Sequence, residues 1–174
     1  MVECIAQKSQ RTEVLHVQSI SKWAPACIGP YSQAYTVGNV VFFAGQIALD
    51  PPSMKFSSNV PSEQLDLALE NLSQVVNAMK SSMRRTLVCN VYLTDMANQT
   101  IALERCAAIV DRNKAIISVV QVKSLPRNAV IEVQSIGITN EYGTQGVTTR
   151  MQKGTNKGVF RKLTFQKFCN KILK

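Results

Sequence analysis

From Pro61 onward the apolar residues Leu65, Ala68, Leu69, Leu72, Val76 and Met79 recur at intervals of three and four, the spacing that lines one face of an α-helix. Such a stripe must be buried against something, and the flanking sequence supplies the partner. Ser32 to Val37, Val40 to Ala44, Arg85 to Leu93, Ile116 to Val122 and Val130 to Ile138 are short runs rich in β-branched and aromatic residues, which predict strands. A second helix is predicted from Met96 to Asp111, opened by Asp95 in the capping position. Strands, helix, strand, helix, strands is the order of an α+β fold, a mixed sheet with both helices on one face.

The turns agree with that reading. Gly38-Asn39 separates two of the strand runs, and both residue types tolerate the positive φ of a tight hairpin. Asp50-Pro51-Pro52-Ser53 is a second turn signal ahead of the first helix. Thr12 to Gln18 reads as an edge strand, so His16 is expected to be a strand residue rather than a ligand.

At 174 residues the chain has room for one ordinary domain and a tail. The domain is expected over residues 1–140. Residues 141–174 are rich in Gly, Thr, Gln and Lys, and hold eight Lys/Arg against one acid. They read as a basic linker followed, from Val159, by a stripe of Phe160, Leu163, Phe168 and Ile172 that suits an amphipathic helix or a weakly ordered end. The net charge of +9 is therefore mostly the tail's, and the first 140 residues carry only +2. Weak polyanion binding, if present, is expected there.

The remaining composition excludes several classes. No run approaches the ~18 apolar residues of a membrane span, and the start of the chain resembles neither a secretory signal nor a transit peptide. Five widely spaced cysteines, Cys4, Cys27, Cys89, Cys106 and Cys169, with one histidine make no disulfide framework or zinc site. A cytoplasmic protein without metal or other cofactor is expected. Phosphate-binding glycine loops and the H-E-x-x-H motif are missing, and a Ser/His/Asp triad would have to use His16.

Three stretches carry more information: Ile28-Gly29-Pro30-Tyr31-Ser32-Gln33-Ala34, Phe43-Ala44-Gly45-Gln46-Ile47, and Leu125-Pro126-Arg127-Asn128-Ala129-Val130-Ile131-Glu132-Val133. In this order and spacing they resemble the YjgF/RidA family, over roughly residues 14–139. The resemblance implies a chorismate-mutase-like sheet with two helices, assembled as a homotrimer or with another module of the same kind. Ser19 to Gln33 and Asp50-Pro51-Pro52 are most similar to the first of two YjgF-like modules in eukaryotic diphthine–ammonia ligases. Those ligases activate their substrate in a separate ATP-pyrophosphatase domain, whose Ser-Gly-Gly-Lys-Asp-Ser loop does not occur here.

The family's imine deaminases are understood to build their site between subunits, with an arginine clamping the substrate carboxylate. A glutamate and backbone groups position water, and a tyrosine lines the pocket. By resemblance Tyr31 and Glu132 are the catalytic candidates, and Gly45, Gln46 and Tyr31 the ligand-binding ones. The arginine position, nine residues before Pro126, holds Ile117, and the asparagine expected in the second helix falls on Leu103. Each candidate also has a plain structural explanation: ring packing for Tyr31, a solvent-facing strand position for Glu132, a strand-end turn for Gly45-Gln46. The favoured expectation is a noncatalytic accessory module related to diphthamide formation on elongation factor 2. A RidA-type deaminase and an RNA-binding or endoribonuclease-like module are the alternatives.

Overall fold

The computed structural model describes residues 12–140. Eight regular elements follow one another: β1 (Val14–Leu15), β2 (Ala34–Val37), β3 (Val40–Gln46), α1 (Pro61–Ala78), β4 (Thr86–Leu93), α2 (Gln99–Ile109), β5 (Ile116–Gln121) and β6 (Ile131–Ile138). The strands form a six-stranded sheet in the order β1-β2-β3-β6-β4-β5. Pairing is antiparallel except between β4 and β5, which α2 connects as a parallel crossover. This is the predicted α+β fold, with the helices on one face.

Alternation along the strands builds that face. Val41 and Phe43 of β3, Cys89, Val91 and Leu93 of β4, and Ile131 and Val133 of β6 are buried against Leu65, Ala68, Leu72, Val75 and Val76 of α1 and Ala102 and Cys106 of α2. Cys89 thus serves as a small hydrophobe at the core. A smaller cluster of Ile47, Leu49 and Ala129, flanked by Ile28, Met54, Phe56 and Leu125, lies beyond the end of β3.

The opposite face carries no helix. Across it the register aligns Val14, Tyr35, Phe42, Ile136, Val88 and Ile116, one residue from every strand. Val14, Tyr35 and Ile116 are 55%, 42% and 63% exposed, so an apolar band is left open to solvent across the whole sheet.

Some boundaries differ from the sequence pattern. The edge strand expected over Thr12 to Gln18 shrinks to two residues, and His16 lies just past it. The second helix starts at Gln99, because Met96–Asn98 form a 3-10 turn capped by Asp95, whose Oδ1 accepts from Ala97 N at 2.9 Å. α1 begins at Pro61, whose fixed φ and missing N–H suit the first helical turn. It ends with Lys80 in the left-handed region (φ 53°), donating to Asn77 O while Ser81 N donates to Val76 O. Those two bonds are the Schellman closure, usually built on glycine. In the hairpin only Gly38 takes positive φ (60°), so Asn39 is not needed for that purpose. The tail of residues 141–174, with its expected linker and amphipathic stripe, lies outside the described residues, as do Cys4 and Cys169.

Candidate functional site

β3 and β6 pair regularly as far as Phe43 with Ser135, and then Gln46 pairs with Val133. Three steps along β3 match two along β6, so β3 carries an extra residue in the form of a bulge around Ala44 and Gly45. A bulge bends its strand and interrupts the side-chain alternation. Here it brings the Gly45 backbone directly against the side chain of Glu132. A Cβ on Gly45 would overlap the carboxyl group and lie 2.6 Å from Glu132 Cδ. Glycine is required at this position by that close approach, not by its φ.

Beside the bulge opens a cavity of about 500 Å³. Tyr31, Gly45, Gln46 and Glu132 all line it, together with Ser32, Gln33, Ile47, Pro126 and Gln134. The four residues singled out from the sequence are therefore brought together by the fold, from three separate segments.

The Tyr31 ring is set by the turn before it. Tyr31 N donates to Gly29 O at 2.9 Å, and a Cβ on Gly29 would press on the ring at 3.3 Å. The same turn is held from behind by His16, whose Nδ1 donates to Tyr31 O (3.0 Å), and by the Cys27 thiol, which donates to that carbonyl at 3.1 Å. His16 is thus a brace for the turn, outside the cavity lining. Partial burial raises the Tyr31 hydroxyl above its ordinary pKa, with Cys27 and Glu132 adding to the shift. The Cys27 thiol is also raised, mainly by burial, so it stays protonated at neutral pH.

Glu132 occupies the face of β6 turned away from the helices, between buried Ile131 and Val133. It is half-buried, and among the described residues no hydrogen bond or ion pair reaches its carboxyl group. Desolvation alone holds its pKa above the ordinary carboxylate range. Two residues along the strand, Gln134 also lines the cavity, its Oε1 accepting from Tyr92 OH at 3.0 Å. Gln46 is buried, with Nε2 donating to Ala44 O at 3.3 Å.

Ile117 and Leu103 stand elsewhere. Ile117 pairs in register with the core residue Cys89 and packs against the helix-side core. Leu103 is 37% exposed on α2. Neither lines the cavity of its own chain. Arg127, which follows the lining residue Pro126, has positive φ (53°) and donates through Nη1 to Met54 O at 3.0 Å.

Three buried amides fix the segments around this cavity, and none was marked as a site residue by the sequence. Gln33 donates to Pro25 O (2.6 Å) and accepts from Val17 N (2.7 Å). Asn71 of α1 donates to Ile47 O (3.1 Å) and Leu49 O (2.9 Å). Gln64, also of α1, donates to Ser58 O (3.0 Å) and accepts from Val130 N at 3.2 Å. Gln64 and Asn71 share the helical stripe of Ala68 and Val75, and a polar residue on an apolar stripe is the signal that finds them.

A family model described as endoribonuclease L-PSP matches residues 21–139. Diphthine–ammonia ligase of Schizosaccharomyces pombe is 32% identical over 136 residues, covering 77% of this chain and 22% of the ligase. The chain thus spans about a fifth of that relative's length. The 2-iminobutanoate/2-iminopropanoate deaminase of Rattus norvegicus is 30% identical over 131 residues, 75% of this chain and 95% of the deaminase. Among solved structures, RidA from an Antarctic Psychrobacter superposes with a TM-score of 0.63 at 32% identity, over 68% of this chain and 95% of that one.

Proposed function

Since this chain belongs to the YjgF/RidA (endoribonuclease L-PSP) family, we propose that it is a ligand-binding accessory module related to diphthine–ammonia ligase, without imine deaminase activity of its own. The observation that carries this reading is the mismatch between cavity and clamp. Tyr31 and Glu132 line the cavity, while the position that by resemblance corresponds to the family's carboxylate-binding arginine is an isoleucine packed on the core. In a symmetric assembly a neighbouring copy would supply another isoleucine there. An aliphatic side chain donates no hydrogen bond, and losing one to a charged group costs on the order of 1.5 to 3 kcal/mol, about ten- to more than a hundredfold in binding.

We also propose that the open sheet face is where this module meets its own kind. The apolar band from Val14 to Ile116 crosses all six strands, so closure by symmetric copies or by a related module would bury it. Light scattering at micromolar concentration is expected to give a trimeric mass. A monomer would sink this part of the reading.

Two assays test the function. The chain is added to imines released by an amino-acid dehydratase, with ketoacid formation followed; the expected rate equals that without protein, and acceleration like that of an arginine-bearing relative refutes the reading. In the second, this chain replaces the matching segment of the S. pombe ligase, and diphthamide on elongation factor 2 is measured by mass spectrometry. Retained modification supports the accessory role, and its loss alongside stable ligase protein counts against it.

A further inference from the structure

Among the described residues, the cavity beside the β3 bulge is lined by one carboxylate and by no basic side chain of its own chain. We propose that the cavity beside the β3 bulge takes a small organic ammonium ligand, a primary amine without a carboxylate, bound through Glu132. This inference rests on the reading above, in which Ile117 replaces the carboxylate clamp.

Three observations carry it. First, the Glu132 carboxyl group is the charged group lining the cavity, and no protein donor among the described residues reaches it. It sits against the Gly45 backbone, in space that a side chain at that position would take. A structure that keeps a half-buried carboxyl group in place without a donor leaves the donor to be supplied from outside. Second, the basic side chain nearest in sequence, Arg127, is committed to the Met54 carbonyl and does not line the cavity. A ligand carboxylate would therefore enter with no countercharge from this chain, facing the like charge of Glu132. Third, the rest of the lining suits an ammonium, which has N–H donors and no acceptor. Gln134 Oε1 accepts one bond from Tyr92 OH and retains a second lone pair, and the Ser32 and Tyr31 hydroxyl oxygens also accept. The volume, about 500 Å³, falls within the usual range for small-molecule sites and suits a short aliphatic amine. The raised pKa of Glu132 agrees with a carboxylate lacking a partner.

The test uses n-butylammonium chloride and sodium butyrate as probes, titrated into the full chain by calorimetry against matched sodium chloride. Saturable amine binding without butyrate binding is expected. Glu132→Gln keeps the shape and removes the charge, and should weaken amine binding about ten- to a hundredfold, with its melting temperature confirming that it folds. Amine binding unchanged in that variant would put the ligand elsewhere and overturn the proposal, as would butyrate binding as tightly as the amine. The imine assay is run on the same preparations. Imine turnover refutes the accessory reading itself, whereas no turnover together with no amine binding removes only this inference.

Discussion

Gly45→Ala is the sharpest probe of how the cavity is built. The added methyl carbon would overlap the Glu132 carboxyl group and lie 2.6 Å from Cδ and 2.9 Å from Cγ, all well inside van der Waals contact. The obstacle is the end of a flexible side chain, so relief comes from turning the carboxyl group aside and not from parting β3 and β6. Overpacking of this kind costs about 1 to 3 kcal/mol, and a displaced rotamer alone about 0.5 to 1.5 kcal/mol. The loss should fall near the lower end, about 1 to 1.5 kcal/mol. In a Glu132→Ala background the obstacle is gone, and replacing glycine by alanine at ordinary φ then stabilises by about 0.4 to 1 kcal/mol through the unfolded chain. The two substitutions should therefore couple by about 1.5 to 2.5 kcal/mol. Urea denaturation of the four proteins measures this from midpoints at unchanged slope. Additivity within about 0.3 kcal/mol would show that the carboxyl group does not fill the space over Gly45, and the account of the site would fail with it.

Other consequences are open to measurement. Asn71→Leu removes a donor from the Ile47 carbonyl, which keeps its bond from Leu49 N, and from the Leu49 carbonyl, at about 1 to 3 kcal/mol for a group left unpaired, so its melting temperature should fall more than that of a neighbouring exposed substitution such as Glu70→Leu. Lys80→Gly relieves a left-handed residue and should stabilise by about 1 kcal/mol in denaturant titration; no gain would mean that the helix end is not held in that conformation. Because burial raises the Glu132 pKa in the fold, stability is fully present below the unfolded carboxylate pKa and declines as pH rises toward the folded one. Glu132→Gln should accordingly melt higher than wild type at about pH 7, with the difference closing toward about pH 3. The core residues run from Val17 to Val133, so a chain cut after Asn140 should keep its melting temperature, and any RNA binding measured across a salt series should be lost with the tail.

The regular elements were legible because one-sided burial writes itself into the sequence twice, at period 3.6 in α1 and at period 2 in the strands. Ile131-Glu132-Val133 already said that Glu132 points away from the core. It did not say that the far face would be only partly solvated there. That depends on the bulge at Ala44-Gly45, which arises where two strands about ninety residues apart in the chain pair with one extra residue on one side, and the alternation of either strand by itself does not mark that insertion. His16 shows the same limit. Its neighbours have strand character, yet β1 stops at Leu15 and the imidazole turns to the carbonyl of Tyr31, a residue from another segment. The motif residues Tyr31, Gly45, Gln46 and Glu132 could be gathered only by resemblance. Gln64 and Asn71 went unmarked, although a polar residue on the stripe of Ala68 and Val75 is a local signal, and what they reach for is set by segments distant in the chain.

Those two amides explain why the cavity exists before any ligand arrives. The wall formed by Ile47 to Leu49 lies outside the six-stranded sheet, with one bridge from Leu49 to Phe56 and a bond from Leu49 N to Ile47 O; Asn71 adds a donor to the carbonyls of both Ile47 and Leu49 from the helix behind it. The start of β6, which delivers Glu132, is tied to the same helix where Val130 N meets Gln64. Tyr31 follows the loop that Gln33 closes between Val17 and Pro25. Each amide makes two bonds to backbone, and breaking one would strand a partner away from water at about 1 to 3 kcal/mol. The walls are thus held more firmly than the carboxyl group they surround, which has no partner of its own among the described residues. A ligand entering here meets fixed walls and one unsatisfied charge, so its affinity should be governed by the charge it brings and little by reorganisation of the fold.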